Sequence, residues 1–336
     1  MKVAICGGIL HHSSMHRRRV QPTTETILVE GLSSAGIDVL ELSPRALGRG
    51  VAAALRGVDL VHIHHPGRLT SILGFLPARA PLIYTPHRMY DPDRALLAVG
   101  HRRMKRAARY VVALSPAEVQ HMRARGWTAD SIALIPNGLP GVGLRPCTRV
   151  SPSVEGSLRI LFVGQLVPVK QPEMILYALA NSRLRPHIAL TMVYQNDSML
   201  SQLRNLASAL GIASQVSWKG RLTGKALADE YYRAHALVLS SRSEALPSVI
   251  TEAMFTGLPV IAPDIGGIRW QLNGWGVCLR HATTHSLAVA FQEVITHDWY
   301  DHESANAVAG SARDRFSPGM MVERHLELYK RVAHEQ

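Results

Sequence analysis

Short apolar runs separated by amphipathic stretches recur from one end of the chain to the other, and this alternation restricts the fold more than any other feature. Lys2–Cys6, Val39–Leu42, Leu60–Ile63, Leu82–Tyr84, Tyr110–Leu114 and Ile132–Ile135 are short and rich in Val, Ile and Leu. A strand buried on one face alternates apolar and polar residues; a strand buried on both reads as a continuous apolar run. Thr23–Ala35, Asp93–Arg109 and Pro116–Arg125 read as the helices between them. Strands alternating with helices predict a parallel sheet covered on both faces.

The alternation stops at Asn137–Ser157, where Asn137-Gly138, Pro140-Gly141, Arg145-Pro146 and Ser151-Pro152 crowd a polar stretch, and this predicts an interdomain linker. A second series follows, with strands at Arg159–Val163, Ala189–Val193, Val216–Lys219, Ala236–Ser240, Pro259–Ala262 and Gly276–Leu279. A chain of 336 residues suits two domains of this kind. The expected division is 1–150, 151–315 and a closing helix over 316–336, where Ser317 and Pro318 supply an N-cap and a first turn. The fold class is α/β, two doubly wound Rossmann-like domains facing a cleft at the carboxyl ends of their strands.

Composition narrows the function classes. No run of about 18 apolar residues exists, so no spanning helix is expected. Met1–Gly8 reads as a strand entering glycines, not as a secretory leader, and the expected location is cytoplasmic. Cys6, Cys147 and Cys278 are far apart with no CxxC pair, which argues against a disulfide framework or a thiolate zinc site. The formal charge is +12, and only six of the 37 basic residues are Lys. Such a surface favours anionic partners without choosing among nucleotides, lipids and nucleic acid. Nucleic acid is disfavoured because no reader motif is present and only 6% of the residues are aromatic.

The most informative stretch is 236–270, ALVLSSRSEALPSVITEAMFTGLPVIAPDIGGIRW. A buried strand ends near Ser240, Glu244 follows in the loop, Pro247 opens a helix, and Gly257 with Pro259 ends it. The first turn of that helix offers N–H groups and a partial positive charge to a diphosphate. Glu252 lies in the same helix, so a loop carboxylate and a helix carboxylate could both take sugar hydroxyls. Gly7 and Gly8 end the first strand without forming GxGxxG or a P-loop.

This stretch resembles the E-x7-E donor motif of the family GT4 retaining glycosyltransferases, whose fold is called GT-B. Residues 160–172 (ILFVGQLVPVKQP), 62–66 (HIHHP), 84–87 (YTPH), 135–138 (IPNG) and 316–329 (FSPGMMVERHLELY) resemble its other landmarks. The resemblance implies a nucleotide-sugar donor held by the second domain and an acceptor held by the first, with the closing helix crossing back. It implies that Glu244 binds the donor sugar and Glu252 the ribose. Backbone N–H groups around Ala245 and Leu246 would hold phosphate, with Pro247, which has no N–H, beside them in the donor site. Lys170 would neutralise the leaving diphosphate, Gly7 and Gly8 would approach it, and His87 would contact the sugar.

Two departures stand out. Gln165 occupies a position where the family usually has Arg, with Arg221, Arg242 and Arg269 as candidate substitutes. Ile268-Arg269-Trp270-Gln271 replaces a loop that commonly carries Glu. The mechanism implied is transfer on one face of the sugar, without a protein nucleophile. No convincing DxD metal pair is present, so no metal and no cofactor are expected; His62, His64 and His65 would need further partners to hold zinc.

The acceptor is not encoded legibly. The basic stretches 101–109 and 16–19 fit either a solvated surface, peripheral contact with anionic lipid, or a phosphorylated soluble acceptor. Two alternatives to a transferase remain: a nucleotide-sugar 2-epimerase, and a degenerate binding protein for an anionic glycan, lipid or partner enzyme.

Overall fold

The computed structural model describes residues 1–7, 23–42, 55–64, 80–87, 95–141, 143–149, 157–184, 187–297 and 299–335, with 95–100 as backbone alone. Gly8, His65 and the 16–19 basic run lie outside the described residues. No described helix is long and apolar enough to cross a membrane.

The chain divides into two compact units, Met1–Pro140 with Phe316–Gln336, and Gly141–Arg315. The first is built on β1 (Lys2–Gly7), β2 (Asp38–Leu42), β3 (Leu60–His64), β4 (Leu82–Thr85), β5 (Tyr110–Ala113) and β6 (Ile132–Leu134). These strands form one sheet in the order β2-β1-β3-β4-β5-β6, every pairing parallel. The alternation of side chains along β1 explains its unbroken apolar sequence. Val3 and Ile5 pack with α1 (Thr24–Ser34) on one face, while Ala4 and Cys6 join Met104 and Met122 on the other. Met104 belongs to α2 (Ala95–Ala107) and Met122 to α3 (Pro116–Ala124).

The second unit repeats the plan. Its strands are β7 (Leu158–Gly164), β8 (Ile188–Tyr194), β9 (Val216–Gly220), β10 (Ala236–Val238), β11 (Val260–Pro263) and β12 (Val277–Leu279). Their order is β12-β11-β10-β7-β8-β9, again parallel throughout. The helices are α4 (Pro172–Asn181), α5 (Leu200–Ala209), α6 (Gly224–Arg233), α7 (Ser248–Phe255), α8 (Ile268–Leu272), α9 (Thr284–Thr296) and α10 (His302–Phe316).

The closing helix, α11 (Pro318–His334), completes the first unit. Its buried residues Met321, Val322, His325, Leu328, Tyr329 and Val332 recur at helical spacing along one stripe. Five of them join the core that contains Val3, Ile27 and Leu60. Val322 lies so close to Gly31 of α1 that a Cβ there would stand 2.3 Å from its Cγ2.

The expected linker is not a free connection. The division falls at Pro140–Gly141 and not at 150, and residues 143–149 pack on the second unit. Arg149 is 7% exposed, and its guanidinium donates to the carbonyls of Thr256 (2.8 Å), Ala234 (3.1 Å) and Tyr231 (3.1 Å). Three backbone carbonyls satisfy a charge that burial would otherwise penalise heavily.

Candidate active site

In each sheet the strand order reverses at one point: between β1 and β3 in the first, between β7 and β10 in the second. The connections there leave in opposite directions and open a crevice at the carboxyl ends of the strands. The candidate residues gather at these two places, one in each unit.

In the second unit, Lys170 follows β7 and Glu244 follows β10. Lys170 Nζ lies 2.5 Å from Glu244 Oε1, and Ser241 Oγ donates to the same oxygen at 2.6 Å. The side chains are 27% and 10% exposed, so the pair is partly shielded yet reachable. The Lys170 turn is clamped from the loop that follows β10. Ser240 Oγ lies 2.8 Å from the carbonyls of both Lys170 and Gln171, and Arg242 N donates to Val169 O at 2.8 Å. Gln171 takes the left-handed conformation, φ 45°, that ends this turn and starts α4.

Pro247 is the N-cap of α7 and makes no side-chain cap, so the helix begins one residue later than expected. Among the described residues, no group accepts a hydrogen bond from the N–H of Ala245, Leu246, Ser248 or Val249. Four unpaired donors at a helix start, beside a lysine, form a setting for an anion. The loop is held in place by glycine. A Cβ on Gly266, whose φ is +55°, would stand 2.0 Å from the carbonyl oxygen of Glu244, and Gly267 N donates to Ala245 O at 2.9 Å.

Glu252 is engaged by a partner far away in sequence. Tyr231 Oη donates to Glu252 Oε2 at 2.5 Å, which leaves Oε1 for a ligand. Burial raises the Glu252 carboxyl above the usual range, and the Tyr231 hydrogen bond opposes this. Gln165 is exposed just beyond β7. Of the arginines considered to replace a charge there, Arg269 pairs with Asp264 at 2.6 Å, whereas Arg242 is exposed and its backbone lies against the Lys170 turn. The divergent 268–271 segment is the helix α8. Its Gln271 is fully buried and donates to Pro247 O (3.0 Å) and Thr251 Oγ1 (2.8 Å), tying α8 to the start of α7.

In the first unit, Gly7 ends β1 with φ +119°, and a Cβ on it would stand 1.8 Å from the His64 carbonyl oxygen. Glycine is therefore required by the close approach of β3 to β1, apart from any phosphate. His87 follows β4 in the left-handed region, φ 54°, uncommon for a residue with a side chain. Its Nε2 lies 2.6 Å from His64 Nδ1, with the rings stacked at 4.9 Å. His62 bonds Tyr329 Oη (2.6 Å) and Thr85 Oγ1 (2.7 Å). Burial is the main reason that His62 and His64 are held well below the ordinary histidine range, with neighbouring imidazoles adding to it. Among the described residues, Glu25, His64 and His87 bring ligand-type atoms within 4.8 Å of one another.

Sequence reading missed Tyr231, Ser241, Glu25 and the pairing of His64 with His87. Glu25 left a faint signal: a charged residue in the first turn of a helix, on the side of Leu28 and Leu32. The others are brought together by topology across separate βα units.

Comparison with known proteins follows the same division. Residues 14–138 match the family model described as "Glycosyl transferase 4-like domain", and residues 148–313 match "Glycosyl transferases group 1". A D-inositol 3-phosphate glycosyltransferase of Streptomyces bingchenggensis is 29% identical over 261 residues, 66% of this chain and 56% of that protein. One of the same name from Kineococcus radiotolerans is 25% identical over 324 residues, 84% of this chain and 74% of that protein. The chain spans little more than half the length of the first of these relatives. Among solved structures, Anabaena HepE in complex with UDP and glucose superposes with a TM-score of 0.76 at 19% identity, covering 98% of this chain and 100% of that one. Sucrose-phosphate synthase from Thermosynechococcus elongatus gives 0.79 at 17% identity, covering 100% of each chain. These likenesses establish two Rossmann-like domains of the GT-B kind.

Proposed function

We propose, for a chain that belongs to the group 1 and 4-like glycosyltransferases, that it moves a sugar from a nucleoside-diphosphate sugar to a hydroxyl acceptor with retention of configuration. The observation that carries this reading is the convergence of Lys170, Glu244 and four unpaired N–H groups at the switch point of the second sheet. A diphosphate needs cations and donors; a sugar needs a carboxylate acceptor; both are supplied by the segments that follow β7 and β10.

In the proposed reaction the bond from the anomeric carbon to the diphosphate oxygen breaks. The acceptor hydroxyl forms the new bond on the same face and passes its proton to the leaving phosphate oxygen. Lys170 and the N–H groups of Ala245 and Leu246 stabilise the charge that develops there. Glu244 Oε2 takes sugar hydroxyls, Glu252 Oε1 takes the ribose, and His87 contacts the transferred sugar. No metal and no cofactor are assigned a role. HepE was crystallised with UDP, glucose and UDP-glucose, which makes UDP-glucose the first donor to try. The curated relatives are named for a phosphorylated inositol, and the exposed Arg102, Arg103, Lys105 and Arg106 of α2 make a phosphorylated polyol the first acceptor to try.

The test is the thermal shift of the purified chain with UDP, GDP, ADP and dTDP, each with and without EDTA. A ligand that binds only the folded state raises the melting temperature. One nucleotide is expected to do so regardless of EDTA, and to lose the effect in Glu252→Ala. No shift with any nucleotide, alongside a shift with an anionic lipid or polyanion, would replace the transferase with a binding protein.

A further inference from the structure

A carboxylate that binds ribose must stay charged and point one way. Glu252 is half-buried on α7, where water does little toward either. Among the described residues its hydrogen-bond partner is Tyr231 in the last turn of α6, whose hydroxyl lies 2.5 Å from Glu252 Oε2. The two residues are 21 apart in sequence and sit on helices that follow different strands, α6 after β9 and α7 after β10.

We propose that Tyr231 is a positioning residue for Glu252, holding Oε2 so that Oε1 is presented to the ribose hydroxyls, and that the pair selects ribonucleotide donors over those lacking these hydroxyls. This rests on the reading that Glu252 binds the ribose. An ionised carboxylate only accepts hydrogen bonds, and each ribose hydroxyl has one to donate. A site built around such an acceptor rejects a ligand without the hydroxyl, because the buried acceptor is then left unpaired.

The place of the hydroxyl is set by the fold. Tyr231 is fully buried, so its ring has no room to swing. Its backbone carbonyl accepts from the Arg149 guanidinium at 3.1 Å. The same guanidinium bonds the carbonyl of Ala234 (3.1 Å), the C-cap of α6, and both the carbonyl (2.8 Å) and the hydroxyl (3.1 Å) of Thr256, the C-cap of α7. One cation thus ties together the carboxyl ends of the two helices that carry the pair, where the helix dipoles favour positive charge. The direction of the bond is set by chemistry. Burial, and after it the Glu252 carboxylate, holds the Tyr231 phenol well above its ordinary range, so the hydroxyl keeps its proton and donates. That bond also opposes the rise that burial imposes on the Glu252 carboxyl, and so favours the form that accepts from a sugar. Packing alone does not call for either polar group. A phenylalanine beside an apolar residue would fill the same space without the cost of desolvating both.

The experiment is isothermal titration calorimetry on wild type, Tyr231→Phe, Glu252→Ala and the Tyr231→Phe/Glu252→Ala double variant. The ligands are UDP, GDP and ADP, each beside its 2′,3′-dideoxy form, which separates the ribose hydroxyls from the base and the diphosphate. For the base that binds, wild type should prefer the ribonucleotide by about 10- to 100-fold, the range for hydrogen bonds to a charged group. Tyr231→Phe should weaken the ribonucleotide by about 3- to 10-fold, the range for one neutral donor lost, and leave the dideoxy form nearly unchanged. In Glu252→Ala the preference should vanish, and adding Tyr231→Phe should cost less than about twofold more. A tyrosine kept only for stability would instead lower the melting temperature and weaken both forms alike.

Equal weakening of the two forms in Tyr231→Phe, or an unchanged preference between them, would overturn the proposal and leave the ribose role of Glu252 standing. So would losses that multiply in the double variant. A wild type that binds ribo and dideoxy forms equally removes that role and this proposal with it, while the donor reading survives. A wild type that binds none of the nucleotides brings down all three. Tyr231→Met fills much of the same space without a hydroxyl and takes the place of Tyr231→Phe should that variant not fold.

Discussion

Lys170 and Glu244 illustrate how a single pair can be important without being stabilising. Both side chains keep some exposure, and an ion pair of this kind contributes on the order of 0–1 kcal/mol. Lys170→Met should therefore leave the melting temperature within a few degrees of wild type. The same change removes a cation from the position assigned to the leaving diphosphate, and should lower kcat by about 100- to 1000-fold. Lys170→Arg should recover little, because a planar fork does not occupy the place of a point charge. Steady-state kinetics beside a melting curve checks this, and equal small effects on both would return Lys170 to the role of a surface ion pair. Glu244 and Glu252 could be singled out from the sequence because they lie in one local stretch with a strand before and a helix after. Tyr231 and Ser241 could not. Tyr231 reaches Glu252 across 21 residues, and nothing in the spacing of α6 marks which tyrosine turns inward. Ser241 is only three residues from Glu244, but serines in a polar loop carry no signal of direction.

At the scale of elements, the strands were legible because parallel strands covered on both faces are apolar at most positions. Residues 141–149 were misread for the converse reason. Their attachment to the second unit relies on a guanidinium bonding three carbonyls, and no periodicity encodes that. Glycine is similarly two-sided. Gly138 looked like a turn residue, yet it is the seat of α11: a Cβ there would stand 2.7 Å from Ser317 O and 2.9 Å from Pro318 Cα. Backbone atoms cannot yield as a side-chain tip can. Gly138→Ala should destabilise the first unit by about 1–3 kcal/mol, the range for overpacking. Gly319→Ala, inside α11 with nothing within 4 Å of the new Cβ, should be neutral or stabilising by up to about 1 kcal/mol. Urea titrations of the two variants test the contrast, and equal destabilisation by both would mean that helix propensity and not seating governs α11.

For the molecule as a whole, buried titratable groups set the range of pH over which the first unit holds together. His325 is held at about 4, chiefly by burial, and His62 and His64 well below the ordinary value of 6.5. Below pH 6.5 these side chains take up protons in the unfolded chain and not in the folded one. The unfolded state then binds more protons, so stability falls as pH falls; His325 alone accounts for about 3 kcal/mol between pH 6.5 and 4. Glu118 works in the opposite sense. Burial lifts its carboxyl to about 7, against a hydrogen bond from Leu114 N at 2.7 Å that favours the ionised form. Between pH 4.5 and 7 the unfolded chain has lost a proton that the folded one keeps, and stability falls as pH rises. Over the shared window the Glu118 and His325 contributions nearly offset, which leaves His62, His64 and His101, the last also held at about 4 chiefly by burial, to decide the sign. Stability should therefore decline from pH 6.5 downward in urea titrations at pH 5, 6, 7 and 8. Glu118→Gln removes the opposing group and should steepen that decline by about 1.4 kcal/mol per pH unit. An unchanged slope would mean that Glu118 is ionised in the folded protein, and a flat wild-type profile would mean that the buried histidines of the first unit are reached by water.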